Sequence, residues 1–154
     1  MNRFAPALWC RMELENIFLA KFADLTPDGL FTVHGGGLNR IDTERFPCTW
    51  SFLYLVARVR LTAEEAQGQH VLESDQEKPN GQIEPLASPS PLEPLPSTVK
   101  PGPEGTVGLT LCLGMVNPVF PEPGVYKFRV KIDGQAVGAA NLLVGAPAQR
   151  GVEQ

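Results

Sequence analysis

The sequence predicts an all-β fold, a single antiparallel β-sandwich of about seven or eight strands with immunoglobulin-like layering. Three observations predict it. Apolar and polar residues alternate with a period of two in several separate segments, as in strands that bury one face. Fifteen Gly and fifteen Pro among 154 residues divide the chain into short elements joined by turns. Hydrophobic residues at 43% and charged residues at 19% describe one globular domain, long enough to bury a core without disulfide or metal staples.

Residues 1–16 read as an N-terminal extension. Its apolar patch is interrupted by Arg11 and Glu13 and is too short for a signal-peptide core. The segment Ile17 to Leu25 fits two periods. As a helix it places Phe18, Phe22 and Leu25 on one face; as a strand it alternates Phe18, Ala20 and Phe22 against Leu19, Lys21 and Ala23. Thr26-Pro27-Asp28-Gly29 is a turn by residue type, with Pro in its second position and Gly in its fourth. Leu30 to Asp42 then reads as a strand interrupted by Gly35, Gly36 and Gly37.

The segment Trp50 to Leu61 is apolar on both sides. Leu53, Leu55, Ala57, Val59 and Leu61 line one face, and Trp50, Phe52, Tyr54 and Val56 line the other before Arg58 and Arg60. A strand of this kind is covered on both faces over its first half. Thr62 to Gly68 forms one helical turn, with Thr62 as N-cap and Glu65 in the capping-box position. His70 to Leu86 is a polar hairpin around Asn80-Gly81, placed at a sheet edge by its few apolar residues.

Seven prolines fall between Pro85 and Pro103, a composition that favours extended polyproline conformation and predicts a long mobile loop within the domain. Val107, Leu109, Leu111, Leu113 and Met115 then alternate with smaller residues as a strand with one core face. The clearest element follows. Tyr126, Phe128, Val130 and Ile132 alternate with Lys127, Arg129 and Lys131, Asp133-Gly134 supplies a two-residue hairpin turn, and Ala136 to Val144 returns. These last three strands are expected to form a C-terminal meander. The domain is set at 17–144, with 145–154 as a tail.

The Ala-Asp, Gly-Leu and Gly-Gly-Gly pattern within Phe22 to Ile41, followed by Gly124-x-Tyr126-x-Phe128-x-Val130 and the Asp133-Gly134 turn, resembles a family of small bacterial all-β proteins known only as a conserved domain of unknown function. The match runs from about Ile17 to Val144. It implies a strand at Ile17 to Leu25 and carries no catalytic residues.

The residues argue against several activities. Thirteen basic against 17 acidic residues give a net charge of −4, which offers no electrostatic grip on nucleic acid or an anionic membrane. Cys10, Cys48 and Cys112 form no Cys-x-x-Cys pair, so neither a disulfide framework nor a structural zinc site is indicated, and a cytoplasmic setting is expected. The glycine run lacks the Lys and Ser/Thr of a phosphate loop and is read as structural, a place where a strand bulges or bends. His34 and His70, with Glu73 or Asp75, lack metal-ligand spacing. Asp24, Asp28, Asp42 and Glu44 lack the regular calcium-loop pattern, and no Gly-x-Ser-x-Gly is present. No catalytic residue, metal or cofactor is therefore expected. The row Lys127, Arg129 and Lys131 is read as a solvated strand face. Trp50, Phe52 and Tyr54 are the surface candidates for a partner, unless the chain's own N-terminal or proline-rich segments cover them. The expected function is a non-catalytic binding or scaffolding module that meets a protein partner or its own copy, with a structural subunit of a larger particle as the alternative and a hydrolase behind both.

Overall fold

A computed structural model of the chain describes residues 12–95 and 99–146. Cys10, most of the expected N-terminal extension and residues 147–154 of the tail lie outside the described residues. Along the chain run β1 (Glu13–Leu25), β2 (Phe31–Gly36), β3 (Arg40–Asp42), β4 (Cys48–Thr49), β5 (Phe52–Leu61), α1 (Ala63–Gln67), β6 (His70–Glu77), β7 (Ile83–Leu92), β8 (Val107–Val116), β9 (Val119–Phe120), β10 (Gly124–Ile132) and β11 (Gln135–Gly145). The fold is all-β. Among the described residues no helix is long and apolar enough to cross a membrane.

The strands form a four-stranded sheet in the order β2-β1-β5-β8, a five-stranded sheet in the order β3-β11-β10-β6-β7, and the small pair β4-β9. Ile17 to Leu25 is a strand, because pairing with β5 and β2 settles what periodicity left open. The five-stranded sheet is mixed, since β3 runs parallel to β11, where an entirely antiparallel arrangement was expected.

One core cluster takes Leu19, Leu53, Leu55 and Ala57 from the first sheet and Tyr126, Phe128, Val130, Leu142 and Val144 from the second. Gly138 on β11 lies so close to β1 that an added Cβ would meet a Leu14 methyl at 2.5 Å and the Ile17 side chain at 3.4 Å. Glycine at this position lets the backbone approach where any side chain would push it away. Tyr126 is fully buried, its ring 4.9 Å edge-on from Phe120. Its hydroxyl donates to the Glu122 carbonyl at 2.6 Å and accepts the Glu122 N–H at 3.2 Å.

Local chemistry sets the remaining elements. Thr62 caps α1, its hydroxyl accepting the Glu65 N–H while the Glu65 carboxylate accepts the Thr62 N–H. Asp133 and Gly134 have φ of 52° and 80°, the left-handed pair that a tight hairpin turn requires. On the outer face of the second sheet, Lys127, Arg129 and Lys131 pair in register with Glu77, Asp75 and Glu73 of β6. Asp75, nearly buried, accepts from Arg129 at 2.6 Å and lies 3.3 Å from Lys131. The basic row thus finds its acidic partners within the chain.

Two expectations are corrected. The last three long strands are not a meander: β8 pairs with β5 over all ten residues, while β10 joins β11 and β6 in the other sheet. Asn117, at φ 50°, and the short β9 carry the chain between them. The expected proline-rich loop begins as a strand, because β7 includes Pro85, Pro89 and Pro91 and pairs with β6. It sits at the sheet edge, where a residue without an N–H sacrifices no bond on the open side.

Candidate functional site

The outer face of the four-stranded sheet is where most of the surface candidates meet. On β5 the side chains opposite the core face are Phe52, Tyr54, Val56, Arg58 and Arg60, and β8 places Val116, Gly114, Cys112, Thr110 and Gly108 beside them in register. Tyr54 is half-buried, with Phe22 edge-on at 5.4 Å on one side and Gly114 on the other, where an added Cβ would come within 2.9 Å of its ring. Phe22 also packs against the His34 ring at 5.9 Å. Phe52 is 52% exposed and its cross-strand neighbour Val116 is 70% exposed. Trp50 does not join this row. It precedes β5, donates its N–H to the Pro118 carbonyl at 3.0 Å and packs against the main core.

Part of this face is covered by the chain itself. Beyond Ala20 the β1–β2 hairpin turns back over the sheet, so that the Thr110 hydroxyl on β8 donates to the Gly29 carbonyl at the hairpin tip at 3.3 Å. Val56, on the outer side, is fully buried as a result. The hairpin departs from the sheet at the glycine run. Gly35 and Gly37 have φ of 64° and 84°, and the N–H groups of Gly37 and Leu38 both reach the Leu19 carbonyl at 2.9 Å. Only glycine enters that backbone region at little cost.

Between the hairpin tip and the 99–106 segment lies an open groove of about 900 Å³. Its floor carries two arginines. Arg58 lies over Gly108 and donates to Glu15 at 2.9 Å and to the Thr110 hydroxyl at 2.7 Å. Arg60 donates to Glu104 at 2.7 Å and Glu13 at 3.0 Å. Each guanidinium is already matched by carboxylates, so the groove presents a network of fixed charges with little surplus.

The Cys112 thiol on this face is not tuned for nucleophilic attack. Burial, aided by the nearby Asp24 carboxylate, pushes the Cys112 thiol up from its ordinary value, away from the thiolate that attack requires. His70 opens β6 in the second sheet. Its Nδ1 faces the Asp133 carboxylate at 2.7 Å and its Nε2 the Glu65 carbonyl at 2.6 Å. Both partners are acceptors, which favours the doubly protonated ring. Among the described residues no three His, Cys, Asp or Glu side chains are grouped to hold a metal ion.

The groove was not singled out from the sequence. Its signal was present as two matched alternations, Glu13 and Glu15 opening β1 and Arg58 and Arg60 closing β5, but only the pairing of those strands brings them together.

Three solved structures share a partial likeness. The Pseudomonas fluorescens alkylpurine DNA glycosylase AlkC bound to DNA containing an abasic site analog is 13% identical, with a TM-score of 0.48 over 88% of this chain and 30% of that one. The Listeria innocua β-glucosidase in complex with glucose is 10% identical, with a TM-score of 0.45 over 88% of this chain and 16% of that one. Its complex with isofagomine gives 12% identity and a TM-score of 0.44 over the same shares. The chain therefore spans less than a third of the length of any of these proteins. No curated protein matches the sequence. Residues 15–145 match the family of unknown function DUF6941, and the chain belongs to that family.

Proposed function

We propose that the chain is a non-catalytic protein-binding module of the bacterial cytoplasm, its two large sheets layered as an immunoglobulin-like sandwich. The layering is supported by the core drawn from both sheets and by the bond from the Tyr126 hydroxyl to backbone four residues upstream, a tie found in such sandwiches. The observation that carries the binding role is the uncovered strip of the outer face. Phe22, Phe52 and Val116 are 44%, 52% and 70% exposed, while Val56 and Thr110 on the same face are buried. Clustered aromatic and aliphatic side chains left in water at the edge of a covered surface are the usual anchors of a protein interface.

The test is the double variant Phe52→Ser, Val116→Ser, compared with wild type for melting temperature and for the native size of the complex in cell extract. The expected result is an unchanged melting temperature with a smaller complex. An unchanged complex removes the binding role, and a lowered melting temperature shows the strip to be core. Turnover in a hydrolase screen that is lost on Arg58→Ala would replace binding with catalysis in the groove.

A further inference from the structure

Each large sheet ends in two open edges, and three of the four are blunted. β3 is three residues long and carries Arg40 and Asp42. β7 carries three prolines. β2 is six residues long and ends in the glycines where the hairpin bends. The fourth edge, β8, has none of these devices: its ten residues, Val-Gly-Leu-Thr-Leu-Cys-Leu-Gly-Met-Val, contain no proline and no charge. Among the described residues it has a strand partner on one side only, β5. A long uncharged edge offers a row of backbone N–H and C=O groups to another strand, and proteins that stay monomeric protect such an edge.

We propose that β8 pairs antiparallel with β8 of a second copy of this chain, joining two four-stranded sheets across a two-fold axis. The occupant follows from the composition. In a two-fold strand pair each residue faces a residue of its own strand, so a charge near the middle would meet its like. β8 carries none from end to end, whereas its neighbour β5 carries Arg58 and Arg60 on the outer face. The alternation also fits. Leu109, Leu111, Leu113 and Met115 occupy the core side and Gly108, Thr110, Cys112 and Gly114 the outer side. A two-fold centred at mid-strand keeps each apolar residue opposite an apolar one. The contact is made through backbone along an edge; of the exposed strip only Val116 belongs to β8, and Phe52 lies on β5.

Mid-strand symmetry brings the two Cys112 side chains within roughly 8 Å, the span of opposite or diagonal neighbours. The experiment uses the full chain with Cys10→Ser and Cys48→Ser, followed by sedimentation, a short bismaleimide and amide hydrogen exchange at low and high protein concentration. The expected result is a concentration-dependent dimer, a Cys112 cross-link that appears with it, and slowed exchange confined to β8. Phe52→Ser should leave all three unchanged, which separates this dimer from the outer-face interaction. Cys112→Lys, placing like charges at the axis, should shift the equilibrium to monomer by at least tenfold, and its melting temperature reports whether the protomer remains folded. A monomer at every concentration, or a dimer with neither the cross-link nor altered exchange in β8, overturns the proposal.

Discussion

Replacing Tyr126 with Phe removes one oxygen and leaves the ring in place. The ring is fully buried and keeps its edge contact with Phe120, so the apolar contribution is conserved. What disappears is the pair of bonds by which the hydroxyl closes the Glu122 backbone, one donated at 2.6 Å and one accepted at 3.2 Å. A buried hydrogen bond contributes about 1 kcal/mol net, and leaving a backbone group unpaired in a dry site costs about 1–3 kcal/mol. Two groups at this partly buried corner give an expected loss of about 2 kcal/mol. For a domain of this size that lowers the melting temperature by roughly 4–8 °C. Urea unfolding checks it, with a lower midpoint and an unchanged slope. A loss below about 0.5 kcal/mol, the range of an ordinary surface change, would show that the corner contributes nothing to holding the turn against the core.

Three further outcomes follow from the same structure. Phe128→Ala, at a fully buried site, should cost about 3–5 kcal/mol in denaturant unfolding, and a loss under 1 kcal/mol would mean the core face of β10 is wrongly placed. Gly37→Val should destabilise by about 1–3 kcal/mol and Gly37→Asn by less, because Gly37 has φ 84° with open space where a Cβ would lie; equal melting temperatures for the two variants would exclude a conformational role. Stability should also follow the His70–Asp133 pair. Burial opposes the charge on His70, but its bonds to Asp133 and the Glu65 carbonyl outweigh that and hold its pKa above 6.5. Burial likewise opposes the Asp133 charge, and its bonds to His70 and the Val71 N–H hold its pKa below 3.8. The His70 contribution is full below 6.5 and lost as pH rises through the higher folded value. The Asp133 contribution is present above 3.8 and lost as pH falls through the lower folded value. Melting curves against pH should show Asp133→Asn flattening the alkaline decline, and an identical pH profile would exclude the pair.

The parts of the fold legible in the sequence are those set by neighbours along the chain. The alternation from Tyr126 to Ile132, the Asp133-Gly134 turn, the Thr62–Glu65 capping box and the strand apolar on both sides at β5 depend on residues a few positions apart. Sheet membership does not. β8 alternates as cleanly as β10, and nothing within either segment states that one pairs with β5 and the other with β6. Proline content misread β7 for a similar reason, since three prolines exclude an interior strand but not an edge one. At the candidate site, Phe52 and Tyr54 were readable as an outward row. Trp50 was not separable from them, because the strand begins only at Phe52 and the chain corner by Pro118 turns the indole toward the core. The folded-back hairpin was beyond reach. Its glycines indicate that a strand bends, but the direction of the bend depends on the surface available for Leu25 to Leu30 to cover.

The central claim is that the uncovered strip on the outer face binds a protein. The most direct measurement places a photo-reactive phenylalanine analogue at position 52 and, separately, at Val125, which is 50% exposed elsewhere on the fold, and irradiates cells producing each variant. A discrete covalent adduct of constant mass from position 52, absent from position 125, is the expected result. Equal labelling at both positions, or none at position 52, would contradict the account.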